Sequence, residues 1–198
     1  MRFLTFTDLH EDNSVLKELV LRASRPDVDF IVCCGDISAF GRRLNYNLSR
    51  FSSLGKKFYL IPGNHEDHLD LKSILSEFPN CICFNREAVE IENYVFLGYG
   101  GNGFLQQDEE FRKVAREWYG KYKERKVVFV THGPAFGTKL DFLDKKHVGN
   151  VDYRKFVERI KPKLVINGHL HETVGAMDEV GGVKFVNPGW EGMIIEMN

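Results

Sequence analysis

The sequence has no long hydrophobic run and no marked excess of either charge. Its 198 residues carry 27 Lys and Arg against 28 Asp and Glu, a formal net charge of −1. No overall electrostatic field therefore favours binding to a nucleic acid or to an anionic membrane surface. No apolar stretch approaches the ~20 residues of a spanning helix, and Asp8 interrupts the N-terminus before a signal-peptide core of roughly 7–15 apolar residues is complete. These absences predict a soluble cytoplasmic protein without a membrane partner.

Cysteine is also scarce. The four cysteines occur as Cys33-Cys34 and as Cys81 and Cys83, and neither pair has the two-residue spacer of the common redox and zinc motifs. Cys33 and Cys34 end an apolar run of strand type, where free thiols act as small buried hydrophobes. We expect structural thiols in a reducing compartment. A mixed metal site that draws on both pairs is the alternative.

Length and composition fit a single domain over residues 1–198. With 43% hydrophobic residues, the chain can bury a sizeable core, and neither a repeat nor a linker divides it. Short apolar runs rich in Phe, Val, Ile and Tyr predict strands. These runs are residues 2–7, 29–34, 57–61, 94–98, 126–131 and 163–167. Segments of helical periodicity lie between them, at residues 13–23, 44–54, 68–78, 108–122 and 152–160.

This alternation is typical of an α/β fold. Asn13, Asp108 and Asp152 are the expected N-caps, because a short side-chain oxygen can accept from the first free backbone N–H groups of a helix. Near the C-terminus, residues 173–176 and 183–186 flank Gly181-Gly182 and predict a hairpin. That antiparallel pair argues against a purely parallel sheet.

Histidine occurs beside aspartate, asparagine and glycine at the ends of the apolar runs. The five strings are Asp8-Leu9-His10, Gly35-Asp36, Gly63-Asn64-His65-Glu66, His132-Gly133 and Gly168-His169-Leu170-His171. Strand ends can converge at one rim of a sheet, and two side chains at alternate positions of an extended segment can point to one region. Two divalent ions require several anionic and imidazole donors in one cavity. We therefore expect a binuclear metalloenzyme.

In order and in kind, the strings resemble the signature of the calcineurin-like metallophosphoesterases: D-x-H, G-D, G-N-H-E/D, H and G-H-x-H. The resemblance runs from residue 8 to residue 171. The stretches 137–141 and 147–149 look like those of the small Icc-related predicted phosphoesterases. The resemblance implies a four-layer α-β-β-α sandwich, in which two stacked mixed β-sheets are flanked by helices and all the ligands lie at one edge.

The resemblance also implies two metal positions that share Asp36. One ion would be held by Asp8, His10, Asp36 and His171, and the other by Asp36, Asn64, His132 and His169. A bridging water with a lowered pKa would supply hydroxide for in-line attack at phosphorus. His65 would protonate the leaving oxygen or stabilise the transition state, with Glu66 or Asp67 as its orienting partner. The mixed donors suit Mn, Fe, Zn, Co or Ni, and Mn is the expected metal.

Two further patterns narrow the chemistry. Protein Ser/Thr phosphatases extend G-D into G-D-x-x-D-R-G, whereas Gly35-Asp36 continues as Ile37-Ser38-Ala39-Phe40-Gly41, so a phosphoprotein substrate is disfavoured.

Residues 98–103 match the dinucleotide fingerprint G-x-G-x-x-G, but Phe104 to Gln107 separate it from the expected helix cap. Because that fingerprint should open a helix, we expect a flexible loop near the metals instead.

Two irregular stretches, 98–107 and 133–151, are expected to shape the substrate pocket. Asn102 and its neighbouring glycines offer donors, and Lys139 and His147 offer charge, so these three are the candidate substrate-binding residues. The expected partner is a small phosphodiester or phosphomonoester, with nucleotide-derived esters among the candidates. The oligomeric state and the physiological substrate are left open.

Two classes of function compete. The first is a metal-dependent phosphoesterase, and the second is a non-catalytic binding scaffold on the same fold. Retention of His65 and of the whole ligand set favours the enzyme, because a scaffold has no physical need for a complete metal cage. A nuclease is a third possibility within the enzyme class, but neither a basic balance nor a stacking platform supports nucleic acid as a partner.

Overall fold

Two mixed β-sheets and a two-stranded ribbon contain the strands. The structure, a computed structural model, describes residues 1–101 and 103–198. The strands are β1 (Arg2–Phe6), β2 (Phe30–Cys33), β3 (Phe58–Leu60), β4 (Cys81–Cys83), β5 (Glu87–Ile91), β6 (Tyr94–Tyr99), β7 (Lys126–Thr131), β8 (Phe142–Leu143), β9 (Lys146–His147), β10 (Leu164–Ile166), β11 (Met177–Val180), β12 (Val183–Val186) and β13 (Met193–Glu196). The α-helices are α1 (Asn13–Ala23), α2 (Leu44–Ser52), α3 (Leu71–Leu75), α4 (Glu109–Tyr122) and α5 (Val151–Ile160). Every apolar run predicted as a strand contains one.

Strand order explains why both sheets are mixed. The first sheet has the order β13-β1-β2-β3-β4, and the second has the order β11-β12-β10-β7-β6-β5. β1 pairs in parallel with β2 but antiparallel with β13. The central strands of the second sheet are parallel, and the β11–β12 and β5–β6 pairs give it antiparallel edges. Because parallel strands point the same way, their carboxyl ends lie together at one edge of each sheet.

Three apolar clusters fill the spaces between four layers. One lies between the first sheet and α1 to α3, one lies between the two sheets, and one lies between the second sheet and α4 and α5. On β7, Val128 and Val130 belong to the cluster between the sheets, whereas Val127 and Phe129 belong to the cluster under the helices. Strands covered on both faces are continuous apolar runs for this reason. The predicted α-β-β-α sandwich is confirmed.

Two of the three predicted N-caps are wrong by one or two positions. Asp12, not Asn13, caps α1, since its side chain accepts from two backbone N–H groups of the first turn. Asn150, not Asp152, caps α5. The carboxylate of Asp152 instead accepts from the side chain of an arginine on α4. Asp108 caps α4 as predicted.

Three other elements differ from the sequence prediction. The C-terminal hairpin begins at Met177 rather than at residue 173, because His171–Thr173 forms a 3₁₀ turn. Helix α3 has only one turn and a half, and His68 lies on an exposed turn before it rather than on the helix. The edge strands β4, β5 and β13 have no counterpart in the prediction. Over the described ranges, no helix is long and apolar enough to cross a membrane.

The four cysteines are free thiols. Cys33 and Cys34 are fully buried on opposite faces of the first sheet. Burial raises the pKa of Cys34 to about 12, so its thiol stays protonated and unreactive at neutral pH. The prediction that this pair acts as buried apolar side chains is confirmed.

Candidate metal centre

Five strand ends converge at one edge of the two sheets. Asp8, Asp36 and Asn64 follow β1, β2 and β3 of the first sheet, and His132 and His169 follow β7 and β10 of the second. Backbone hydrogen bonds tie neighbouring loops together, such as the bond of 3.1 Å from the N–H of Asp8 to the loop after β2. The parallel topology therefore delivers polar side chains from distant parts of the chain to one place.

Contacts between the two sheets fix the spacing of these loops. The backbone N–H of His169 donates to Oδ2 of Asp8 at 2.9 Å. The imidazole of His132 spans the gap: its Nε2 lies 3.0 Å from Oδ1 of Asn64, and its Nδ1 lies 2.9 Å from the carbonyl oxygen of Cys34. Loops of the second sheet therefore orient side chains of the first.

Three groups of side chains present possible ligand atoms within 4.8 Å of one another. They are Asp8, His10 and His171; His10, Asp36 and His65; and Asp8, Asp36 and His132. Asn64 joins them through its contact with His132, and the ring centroid of His169 lies 5.0 Å from that of His132. The structure thus brings together His65 and all the side chains predicted as ligands. Their binding of metal ions stays a prediction.

The residues fit divalent cations. An open cavity of about 270 Å³ is lined by these side chains, except for the fully buried His132. Among the described residues, Nδ1 of His10 and Nε2 of His169 are buried without a hydrogen-bond partner, and Oδ1 of Asp8 faces Nε2 of His171 at 3.5 Å. Buried polar atoms are nearly always paired in native proteins, and carboxylate, amide and imidazole donors are those that divalent transition metals accept. A pair of cations would satisfy atoms that the chain leaves unpaired.

Four of the predicted ligands have a strained backbone conformation. Asp8, His10, Asp36 and His169 have φ values of 54°, 51°, 52° and 70°, in the left-handed region that costs an L-residue roughly 1–2 kcal/mol. Such strain persists where the surrounding structure imposes it, and it clusters at functional sites. Four predicted ligands share a conformation that folding alone does not favour.

Burial and neighbouring charges set the protonation of the candidate ligands. Burial raises the pKa of Asp8, but the hydrogen bond from His171 and the charge of His132 outweigh burial and hold that pKa well below its usual range. Burial likewise opposes charge on Asp36, and His132 lowers its pKa. Burial and the charge of His132 lower the pKa of His169 to about 4. At neutral pH the carboxylates are therefore charged and His169 is neutral, as metal ligation requires. Burial lowers the pKa of His132, but the hydrogen bond and the charge of Asp36 outweigh burial and raise that pKa to about 9, so a metal ion must displace a proton from this imidazole.

Glu66 has a structural task that the sequence did not reveal. It does not orient His65 as expected. Both carboxylate oxygens accept backbone hydrogen bonds, from Asp36 at 2.8 Å, Gly63 at 3.0 Å and Ser38 at 3.0 Å, and the Ser38 hydroxyl donates as well at 2.6 Å. The side chain is 1% exposed. This buried carboxylate ties the loop after β3 to the loop after β2.

Gly103, in the glycine-rich segment after β6, lies against the candidate ligand His169. A Cβ on Gly103 would overlap the imidazole of His169, so glycine is needed for this close approach. The segment does not open a helix, since α4 begins only at Glu109. The G-x-G-x-x-G pattern therefore lacks the helix that dinucleotide binding requires. Asn102, a candidate substrate-binding residue in this segment, lies outside the described residues.

Lys139 and His147 lie beside the candidate metal centre rather than in it. They line a second cavity of about 520 Å³ that shares Glu172 with the first. Nζ of Lys139 lies 3.9 Å from Oδ1 of Asp178, and Nδ1 of His147 lies 2.8 Å from Oδ1 of Asp141. Their contact with substrate stays a prediction.

Each of the two irregular stretches contributes an apolar side chain to the candidate metal centre. Phe104, from residues 98–107, and Leu143, from residues 133–151, line its cavity. The sequence prediction included neither, because it named only polar and charged residues of these stretches.

Comparisons with known proteins agree with this geometry. A family model described as calcineurin-like phosphoesterase matches residues 1–173. The uncharacterised protein MJ1162 of Methanocaldococcus jannaschii is 29% identical over 201 residues, which cover 95% of this chain and 88% of that protein. Metallophosphoesterase domain-containing protein 1 of Homo sapiens is 27% identical, and the match covers 92% of this chain but 56% of the human protein. The chain therefore spans about half the length of its human relative.

Solved structures show the same fold. TT1561 of Thermus thermophilus superimposes with a TM-score of 0.75 at 14% identity, covering 96% of this chain and 90% of that one. The phosphopantetheinyl hydrolase of Mycobacterium tuberculosis gives a TM-score of 0.66 at 15% identity, covering 94% and 88%. At these identities the likeness concerns the arrangement of sheets and helices.

Proposed function

The chain belongs to the calcineurin-like phosphoesterase family, and on that premise we propose that it hydrolyses small phosphoesters with two divalent cations, phosphodiesters first and phosphomonoesters second. One observation carries the proposal. Two carboxylates, an amide and several imidazoles meet at one open cavity, and some of their buried atoms have no partner among the described residues. Buried polar atoms without partners lower the stability of a fold, and a non-catalytic scaffold would gain nothing from keeping them.

Two overlapping ligand sets would hold the cations. One consists of Asp8, His10, Asp36 and His171, and the other of Asp36, Asn64, His132 and His169. When bound, two such cations lower the pKa of water and stabilise the charge that spreads over the phosphoryl oxygens. We place Mn first among the metals, with Fe, Zn, Co or Ni as alternatives.

The chain orients its own ligands through a further layer of contacts. The carbonyl oxygen of Cys34 faces Nδ1 of His132, which holds the ring and leaves Nε2 directed toward Asn64 and Asp36. The backbone N–H of His65 donates to Oδ1 of Asp36 at 2.9 Å. Ligands fixed in this way bind with less loss of side-chain freedom.

His65 is the proposed general acid. Its ring is 22% exposed, and its Nε2 lies 3.9 Å from Oδ2 of Asp36 at the wall of the cavity. As the oxygen of water bonds to phosphorus and the P–O bond to the leaving alcohol breaks, His65 donates a proton to the departing oxygen. The proton released by the attacking water restores the imidazolium in the next turnover.

The test is metal-dependent turnover. Purified protein, stripped and then loaded in turn with Mn, Ni, Co, Fe and Zn, is expected to cleave bis-p-nitrophenyl phosphate and, more slowly, p-nitrophenyl phosphate. Stripped protein should cleave neither ester. Protein that binds two metals but cleaves no phosphoester with any of them would contradict the proposal and favour a binding scaffold. The four free cysteines fit action in a reducing compartment such as the cytoplasm.

A further inference from the structure

Phe40 combines strain with exposure. Its backbone φ is 54°, a genuine outlier for a bulky aromatic residue, and its side chain is 64% exposed. Neither feature stabilises the fold, because the left-handed conformation is unfavourable and the ring stays largely in water. Strain at an exposed apolar side chain points to a use other than packing.

The turn that presents Phe40 is firmly held. The hydroxyl of Ser38 donates to the buried carboxylate of Glu66 and accepts from the backbone N–H of Gly41 at 3.1 Å. The N–H of Arg42 donates to the carbonyl oxygen of Ala39 at 3.1 Å. Glu66 therefore ties this turn to the loop that carries His65, and the two loops cannot move independently without loss of these bonds.

The ring of Phe40 lies on the imidazole of His65. Their centroids are 4.0 Å apart and their planes differ by 21°. In the proposed hydrolysis His65 protonates the departing oxygen, so the leaving alcohol must lie beside that imidazole. The ring of Phe40 is an apolar surface that lies directly against that imidazole.

We propose that Phe40 forms the subsite for the leaving group and selects phosphoesters whose leaving alcohol carries a planar aromatic or heteroaromatic ring. The proposal rests on the hydrolysis proposed above. The ring of the leaving group packs against Phe40, while its ester oxygen lies at His65. A second exposed ring, Phe104, is 63% exposed but lies against His169, with centroids 4.2 Å apart. Phe104 therefore provides a matched comparison.

The first experiment compares two leaving groups of similar pKa but different shape. Phenyl methyl phosphate and hexafluoroisopropyl methyl phosphate share the retained methyl group, and only the first releases a planar ring. Phe40→Ala should lower kcat/KM about 10-fold for the phenyl ester, the scale of one lost stacking contact, and by less than about 2-fold for the fluoroalkyl ester. Phe40→Trp should keep the preference for the phenyl ester.

Two outcomes of this experiment overturn the proposal. Equal losses for both esters in Phe40→Ala would mean that Phe40 positions His65 rather than binding the leaving group. No loss for either ester would mean that the ring serves neither purpose. Phe104→Ala is expected to change both esters by the same factor, since their retained groups are identical. A loss in Phe104→Ala confined to the phenyl ester would place the leaving group there instead.

A binding measurement tests the subsite at Phe40 without requiring catalysis. If metal-loaded protein cleaves neither ester, the proposed hydrolysis fails, and calorimetric titration with phenylphosphonate and cyclohexylphosphonate still tests Phe40. Tighter binding of the planar phenyl compound, lost in Phe40→Ala, supports the subsite. Equal binding of the two compounds by the unaltered protein overturns it.

A stability measurement excludes a purely structural role. Phe40→Asn places a residue that tolerates positive φ at this position, so it should fold with a Tm no lower than that of the unaltered protein while losing the preference for planar leaving groups. A clear fall in Tm would show that the ring supports the fold and would overturn the proposal.

Discussion

The backbone N–H of His169 donates a hydrogen bond of 2.9 Å to Oδ2 of Asp8, across 161 residues of sequence and between the two sheets. Asp8 follows β1 of the first sheet, and His169 follows β10 of the second. A single carboxylate thus offers one oxygen to the cavity and uses the other to place a histidine of the opposite sheet. The two proposed metal positions are mechanically linked through this contact.

Asp8→Ala should consequently lower metal occupancy at both positions, because the substitution removes a ligand of one ion and the anchor of a ligand of the other. His10→Ala should lower occupancy at one position only. Metal counting by inductively coupled plasma mass spectrometry on the two purified variants checks this. Equal losses in the two variants would show that the link between Asp8 and His169 has no effect on binding.

His65→Ala should leave metal content near that of the unaltered protein and reduce turnover ~100-fold or more, the usual scale for a lost general acid. The reduction should shrink for esters with good leaving groups, since their departing oxygen needs little protonation. Steady-state kinetics over a series of aryl esters measures this dependence. A reduction that is the same for every leaving group would remove the general-acid role.

Glu66→Ala should destabilise the fold by about 3 kcal/mol or more, because three buried backbone N–H groups and a hydroxyl lose their acceptor. Urea unfolding gives the free energy directly. Glu117→Ala is the matched control: its carboxylate is exposed on α4 and forms an ion pair with Lys121, so its effect should stay within about 0.5 kcal/mol. Similar values for the two variants would contradict the role assigned to Glu66.

Gly103→Ala should displace the imidazole of His169, because a Cβ at this position would overlap it. The expected result is loss of metal at one position with a small change in stability. Gly120→Ala is the control, since no described atom beyond its own helix backbone lies within 4 Å of its Cβ and alanine in this helix should stabilise by about 0.5–1 kcal/mol. Full metal content in Gly103→Ala would show that the loop yields easily.

The sequence predicts the centre of this fold better than its edges. Strands such as β7 and β10 are covered on both faces, so they are continuous apolar runs and are recognised easily. Edge strand β5, Glu87–Ile91, is only half-buried and carries glutamates, which weakens the strand signal. The cap of α1 differs by one residue because Asp12 and Asn13 can both accept hydrogen bonds, and only the backbone conformation decides between them.

In the candidate site, too, some features could be predicted from the sequence and others could not. Convergence of Asp8, Asp36 and His169 could be predicted because each ends a parallel strand, and such ends meet at one edge. The positive φ values of these residues and the hydrogen bonds of Glu66 depend on contacts between distant loops, which no local pattern reveals. The role of Phe40 could not be predicted for a related reason. The sequence around an aromatic residue in a loop does not show that its ring lies on His65.

Anomalous scattering from a crystal grown with Mn²⁺ tests whether two cations share Asp36. We expect two peaks roughly 3.5–4 Å apart, one beside His10 and His171 and the other beside Asn64 and His132, with Asp36 between them. A single peak, or two peaks that do not both contact Asp36, would contradict this expectation.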